Sequence, residues 1–113
     1  FIINGNGNQI RDFVHVTDIA QANLVAMESK INSGFFNIGT GIPTSINELA
    51  KKMIKLSNHN QKIIYGPELE GDVEISQADM SSTKTLLDWN HEINLLEGLR
   101  DLIQKYLLLN SSK

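Results

Sequence analysis

The chain alternates short apolar runs with polar, glycine-bearing breaks, and the period of each run identifies the element it makes. Phe1-Ile2-Ile3 opens as an apolar strand and runs into Asn4-Gly5-Asn6-Gly7-Asn8, a tight turn in which Asn and Gly tolerate positive φ at little cost. From Gln9 to Val16 apolar and polar residues alternate loosely around a doubled Phe13-Val14, as in a strand covered on one face and able to pair back as a hairpin. The period then changes. Thr17 has the chemistry of an N-cap, and Asp18 puts negative charge at the positive end of a helix continuing through Ala20, Leu24 and Met27. Its polar residues fall mainly at Gln21, Asn23 and Glu28, so most of its circumference is expected to be buried against something large.

After a break at Asn32-Ser33-Gly34, Phe35-Phe36-Asn37-Ile38 reads as a short buried strand, and the loop Gly39 to Thr44 leads to a helix. Ser45 and Glu48 have capping-box spacing; Ile46, Leu49, Ala50 and Met53 share one face, with Lys51, Lys52 and Lys55 opposite. Lys62 to Tyr65 is a further strand, closed by Gly66-Pro67. A strand, loop, helix, strand order from Phe35 to Tyr65 predicts parallel pairing with a right-handed crossover. Glu68 to Ala78 has no period and reads as an irregular loop. Asp79 to Leu87 is a short helix capped by Asp79 or Ser81. Asn94, three residues before Glu97, starts the last helix, with Leu95, Leu99, Leu102 or Ile103, and Tyr106 on its apolar face. The tail from Asn110 to Lys113 is expected to fray. The sum is an α/β chain with short strands, a small mixed or parallel sheet and about four helices.

Composition narrows the partners more than the fold. The 113 residues fit one domain, small for a complete metabolic enzyme, and the first residue, Phe1, begins an apolar strand directly, which suggests sequence upstream. A net charge of −3 with interspersed signs offers no field for nucleic acid or acidic membranes. No apolar run has spanning length and no signal-peptide pattern occurs, so a cytoplasmic location is expected. The absence of cysteine removes disulfides, thiolate metal sites and thiol nucleophiles.

Few residues are placed for chemistry. Gly39-Thr40-Gly41 follows a strand and precedes a helix, as phosphate loops do, but it lacks the third glycine of the dinucleotide fingerprint and the P-loop lysine; a sharp turn is the better account. His15, His59 and His91 are not spaced as metal ligands, and the last two lie in polar, surface-type stretches. Glu68, Glu70, Asp72 and Glu74 lack calcium-loop spacing and read as a solvated acidic stretch. No nucleophile elbow or histidine-carboxylate grouping stands out. Arg11 is evenly balanced between an ion pair, with Asp12 or Asp18, and a clamp for a fixed anion.

Four stretches taken in order carry a resemblance: GNGNQIRDFVHVTDIAQA, FFNIGTGIPTSINELA, GDVEISQADMSSTKTLLDW and LLEGL. They resemble the C-terminal part of the NAD-dependent epimerase/dehydratase family of extended short-chain dehydrogenases, nearest to nucleotide-sugar epimerases of the UDP-glucose 4-epimerase type. The resemblance implies that residues 1–113 form one nucleotide-sugar-binding domain of a two-part enzyme. A Rossmann domain holding NAD, with its glycine fingerprint and a catalytic tyrosine-lysine pair, would lie in sequence this chain does not contain. In the family NAD takes hydride from C4 of the hexose while the tyrosine takes the hydroxyl proton, the keto sugar rotates, and hydride returns to the other face.

By the same resemblance Arg11 would clamp the pyrophosphate of a sugar nucleotide such as a UDP-hexose, Asp72 would approach the ribose hydroxyls, and the strand ending at Asn4 would line the base. No catalytic, cofactor-binding or metal-binding residue is carried over, and the isolated chain is expected to be inactive. Full-length relatives often form homodimers, mainly through N-terminal helices. The alternatives are a sugar-nucleotide dehydratase or reductase of the same family, or a non-catalytic binding module. Three positions depart from the pattern: Leu69 stands where a second phosphate-binding arginine is common, Asn4 replaces an aromatic, and Asp88 replaces the glycine of a Leu-Gly-Trp, whose Trp89 is expected to fill core.

Overall fold

The structure is a computed structural model that describes residues 1–111; Ser112 and Lys113, the end of the tail expected to fray, lie outside the described residues. Its elements are β1 (Ile2–Asn4), β2 (Ile10–Arg11), α1 (Val16–Glu28), β3 (Thr44–Ser45), α2 (Ile46–Ser57), β4 (Ile64–Gly66), α3 (Ser81–Leu87) and α4 (Leu95–Ser111). The architecture is α/β with four helices, as the hydrophobic pattern predicts. The strands form two small two-stranded sheets, β1 with β4 in parallel and β2 with β3 antiparallel.

Three sequence expectations about the strands are corrected. β1 does not form a hairpin with β2; Ile2 pairs with Ile64 and Asn4 with Gly66, while Ile10 pairs with Ser45 and Arg11 with Thr44. The predicted strand from Gln9 to Val16 reduces to Ile10–Arg11 because its continuation turns toward the loop at Thr40, which Asp12 binds. Phe35–Ile38 joins no strand ladder among the described residues, so β4 has β1 and not this segment as its parallel neighbour. Its polar groups are engaged from α3 and the residues just before it: Thr83 Oγ1 donates to the Asn37 carbonyl at 2.7 Å, and Asn37 Nδ2 donates to the Asp79 carbonyl.

The helix caps follow the sequence closely in α2 and α4. The Glu48 N–H donates to Ser45 Oγ at 3.1 Å, and Asn58 ends α2 in the left-handed region. At α4 the Glu97 N–H donates to Asn94 Oδ1 while Asn94 Nδ2 donates to Glu97 Oε1. α3 begins at Ser81, whose N–H and hydroxyl both donate to Asp79 Oδ1. α1 departs from expectation. Its N-cap is His15, whose Nδ1 accepts from the Thr17 N–H at 3.2 Å, and Asp18 is buried with its carboxylate accepting from the Glu92 and Ile93 N–H groups. The His15 ring also explains a glycine inside α4, since a Cβ on Gly98 would lie 3.0 Å from His15 Cδ2.

The main core joins the inner side of α1 to α3: Ala22, Met80, Leu87 and Trp89 are buried, with Val25, Phe36 and Ile38 packed on them. Trp89 fills core as expected, its buried Nε1 having no partner. α2 packs on α4 beside this core. The predicted burial of α1 is not met within the chain. Only Asp18 and Ala22 of the helix are buried, while Val16, Ile19, Leu24 and Met27 all face out, Met27 at 82% exposure. These residues recur at helical spacing on one stripe, so α1 is apolar on two sides and packed on one. The shape agrees: extents of 49 × 39 × 19 Å and a radius of gyration of 16.8 Å exceed the roughly 13 Å of a globular chain of this length.

Candidate functional site

β1 ends in the Asn-Gly turn, whose Gly5 and Gly7 adopt φ +80° and +74°. This turn, Gln9 and the irregular segment from Glu68 to Glu74 enclose a polar cavity of about 410 Å³, lined by Asn4, Asn6, Asn8, Gln9, Leu69 and Asp72 among others. Ile10 fixes the far wall: its N–H donates to the Glu74 carbonyl at 2.8 Å, and its carbonyl accepts from the Ser76 N–H at 2.9 Å. Two main-chain bonds therefore hold a segment without regular structure against β2.

Arg11 lies beside this cavity and its partner is Asp72, not Asp12 or Asp18. Its NH2 group donates to Asp72 Oδ1 at 2.6 Å and its NH1 to the Ile10 carbonyl at 2.7 Å. Gln9 Nε2 donates to the Asn4 carbonyl at 3.1 Å and reaches Asp72 Oδ2 at a long 3.5 Å. The three residues singled out in the sequence, Asn4, Arg11 and Asp72, are thus brought to one place. A guanidinium has five N–H donors; two are used, and the remaining three have no acceptor among the described residues. Arg11 can hold an anion without releasing Asp72.

Asp12, adjacent in sequence, has an unrelated task. Its carboxylate accepts from the Thr40 hydroxyl at 2.6 Å, the Thr40 N–H, the Gly41 N–H at 2.8 Å and the Ala78 N–H at 3.3 Å. Burial pushes its pKa up, but the Thr40 hydroxyl and the three backbone donors outweigh it and hold the carboxyl below its ordinary value. This settles the glycine loop. Its N–H groups do form an anion nest, and the anion is the chain's own carboxylate; Gly39 has no room for a Cβ because Asp12 Oδ2 would lie 2.7 Å away.

Sequence reasoning missed two groups of residues. Asn47 holds the glycine turn through its amide and is joined to Tyr65, while Asp12 joins β2 to the loop at Thr40 and to Ala78. Neither had a local signal, since every partner is 18 or more residues away. Among the described residues no group of three or more His, Cys, Asp or Glu could hold a metal ion. Among the described residues no helix is long and apolar enough to cross a membrane.

Fold and site together define an α/β chain with a polar cavity, an arginine beside it with unused donors, and a carboxylate fixed between them. Residues 1–39 match the family model described as "NAD dependent epimerase/dehydratase family". The chain is 40% identical over 102 residues to a putative UDP-glucose 4-epimerase of Methanocaldococcus jannaschii, covering 90% of this chain and 32% of that protein. The UDP-glucose 4-epimerase of Thermotoga maritima, solved with UDP-glucose, superposes with a TM-score of 0.91 at 36% identity, covering 96% of this chain and 35% of that one. MoeE5, solved with UDP-glucuronic acid and NAD, superposes at 0.89 with 31% identity, covering 96% and 37%. The chain is thus similar to members of the NAD-dependent epimerase/dehydratase family, and its structural neighbours are extended short-chain dehydrogenase epimerases. It spans about a third of the length of these relatives.

Proposed function

We propose that the chain is the nucleotide-sugar-binding portion of an NAD-dependent nucleotide-sugar epimerase, UDP-glucose 4-epimerase-like, and that it does not turn over substrate alone. The observation that carries this is a polar cavity lined by Asn4 and Asp72, with Arg11 bonded to Asp72 at its edge. In this reading the free donors of Arg11 take the pyrophosphate as charge-assisted bonds. Asp72, held by Arg11 and Gln9, accepts from the ribose hydroxyls, and the end of β1 at Asn4 borders the base. Leu69, which lines the cavity, adds no cation, so Arg11 carries the phosphate contact unaided.

NAD does not fit the residues present. The Gly39-Thr40-Gly41 loop, the stretch that reads as a phosphate loop, has its Thr40 and Gly41 N–H groups occupied by Asp12. The cofactor, and with it hydride and proton transfer, therefore belongs in this reading to a Rossmann portion outside these 113 residues. The outward apolar stripe of α1 supports such a portion. What this chain supplies is binding and orientation.

The test is thermal unfolding with added nucleotides. A ligand that binds only the folded chain raises its stability with the logarithm of concentration over Kd. UDP and UDP-glucose are expected to raise the midpoint and inorganic phosphate is not. Turnover of a UDP-hexose by the purified chain would overturn the claim that it is inactive alone, and no response to UDP would overturn the binding role.

A further inference from the structure

The cavity rim is rich in carboxamides, with Asn4, Asn6, Asn8 and Gln9 all lining it. A carboxamide donates or accepts according to which way round it is held, so its recognition chemistry depends on what fixes it. At the glycine turn that orientation is dictated by groups with no choice. The backbone carbonyl of Asn6 can only accept, so the Asn47 atom facing it at 3.0 Å is Nδ2, and Asn47 Oδ1 accepts from the Tyr65 hydroxyl at 2.9 Å. The same Nδ2 donates to Asn8 Oδ1 at 3.2 Å. The Asn8 backbone N–H can only donate, and it fixes Asn6 Oδ1 at 2.9 Å. Gly7 makes room for the relay, since a Cβ there would lie 2.1 Å from Asn47 Oδ1. The outcome is specific: Asn6 and Asn8 each have the oxygen engaged, and neither Nδ2 has an acceptor among the described residues.

Resting on the nucleotide-binding reading above, we propose that this amide relay presets Asn6 and Asn8 as N–H donors, and that the cavity thereby selects a nucleobase by its ring carbonyl oxygens. A pyrimidine with two carbonyls, such as uracil, matches two donors. Cytosine replaces one carbonyl with an amino group and sets donor against donor. Asn6 and Asn8 are the contact residues; Asn47 and Tyr65 are positioning residues that act through them. Base recognition then proceeds by hydrogen bonding at the turn, in a chain that has Asn4 in place of an aromatic platform.

Calorimetric titration of the 113-residue chain with UDP and with CDP tests this. The unaltered chain is expected to bind UDP about tenfold more tightly, the discrimination expected of one good hydrogen bond gained against one donor clash. Asn8→Asp keeps an oxygen for Asn47 and removes the outward donor. Its added charge weakens both diphosphates alike, and the carboxylate accepts from the cytosine amino group, so the preference falls to about one or reverses. Tyr65→Phe, which releases Asn47, lowers the ratio by about threefold. A purely structural role would lower both affinities and leave their ratio unchanged. A tenfold preference kept in both variants, or equal binding of the two nucleotides by the unaltered chain, overturns the relay alone. Failure of the unaltered chain to bind either nucleotide overturns the binding reading and the relay together.

Discussion

The cavity wall and the outer side of α1 are made of opposite materials. Around the cavity, side-chain polar groups meet partners on other elements: Arg11 with Asp72, Asp12 with the loop at Thr40, Asn47 with the turn. On α1, Val16, Leu24 and Met27 face out, and Phe35 in the segment that follows has the 105% exposure of a side chain touching almost nothing. Polar groups satisfied within the chain give a region that holds its shape without further layers. An apolar stripe of this kind marks a surface made to be covered. The accessible surface of 8374 Å², against roughly 6,200 Å² for a compact protein of this mass, measures the same asymmetry.

The strongest way to break the satisfied half is at Asp12. Asp12→Ala leaves Thr40, Gly41 and Ala78 without their acceptor, and is expected to cost roughly 3 kcal/mol in urea unfolding, by the range for orphaned buried donors and lost charge-assisted bonds. A loss under about 0.5 kcal/mol, the level of an ordinary surface change, would mean that water replaces the carboxylate freely. The same residue predicts a pH dependence. Its folded pKa is depressed below the ordinary 3.8, so its stabilisation is fully present above that value and is lost as pH falls through the folded value. Asp12→Asn should flatten stability against pH below about 4, where the parent chain declines.

Next in size is Arg11. Its pair with Asp72 is partly exposed, with side chains 26% and 33% accessible, and such pairs contribute no more than about 1 kcal/mol. Arg11→Ala should therefore lower stability by less than that, yet weaken UDP binding by about 10- to 100-fold through loss of charge-assisted bonds. Equal small effects on both would return Arg11 to a structural ion pair. The two adjacent residues thus separate: Asp12 is predicted to govern folding and Arg11 binding.

What the sequence made legible is what short spacing controls. Ser45 with Glu48 and Asn94 with Glu97 cap helices across three residues, and both motifs form. The members of the candidate site were legible through the four-motif resemblance, but their pairing was not. Asp72 lies 61 residues from Arg11, so local charge favoured Asp12 and Asp18, which are engaged by backbone donors from remote loops. Phe35 to Ile38 has a strand's composition, but a strand also needs a neighbour, and periodicity cannot say whether one is present. The same limit explains α1: its pattern calls for burial on two sides, and the chain supplies one.

Asp88 gives a smaller, conformational test in the core half. It ends α3 at φ +51°, a left-handed position where a Cβ is unfavourable and where the family pattern has glycine. Asp88→Gly should raise stability by about 0.5–1 kcal/mol, since relief of the left-handed strain exceeds the added freedom of the unfolded chain. A loss of stability would mean that the Asp88 side chain makes a compensating contact.

The smallest effect on stability is expected on the bare face, and it separates the two regions most directly. Leu24 and Met27 are 52% and 82% exposed, so Leu24→Lys with Met27→Lys removes little buried area and should change unfolding free energy by less than about 0.5 kcal/mol. The parent chain should bind a hydrophobic dye or self-associate through this stripe, and the double variant should do so much less. UDP binding should be unaltered, because neither residue borders the cavity. If the double substitution unfolds the chain, α1 is packed on that side within the chain itself, and the contrast between a finished cavity wall and an uncovered helix fails.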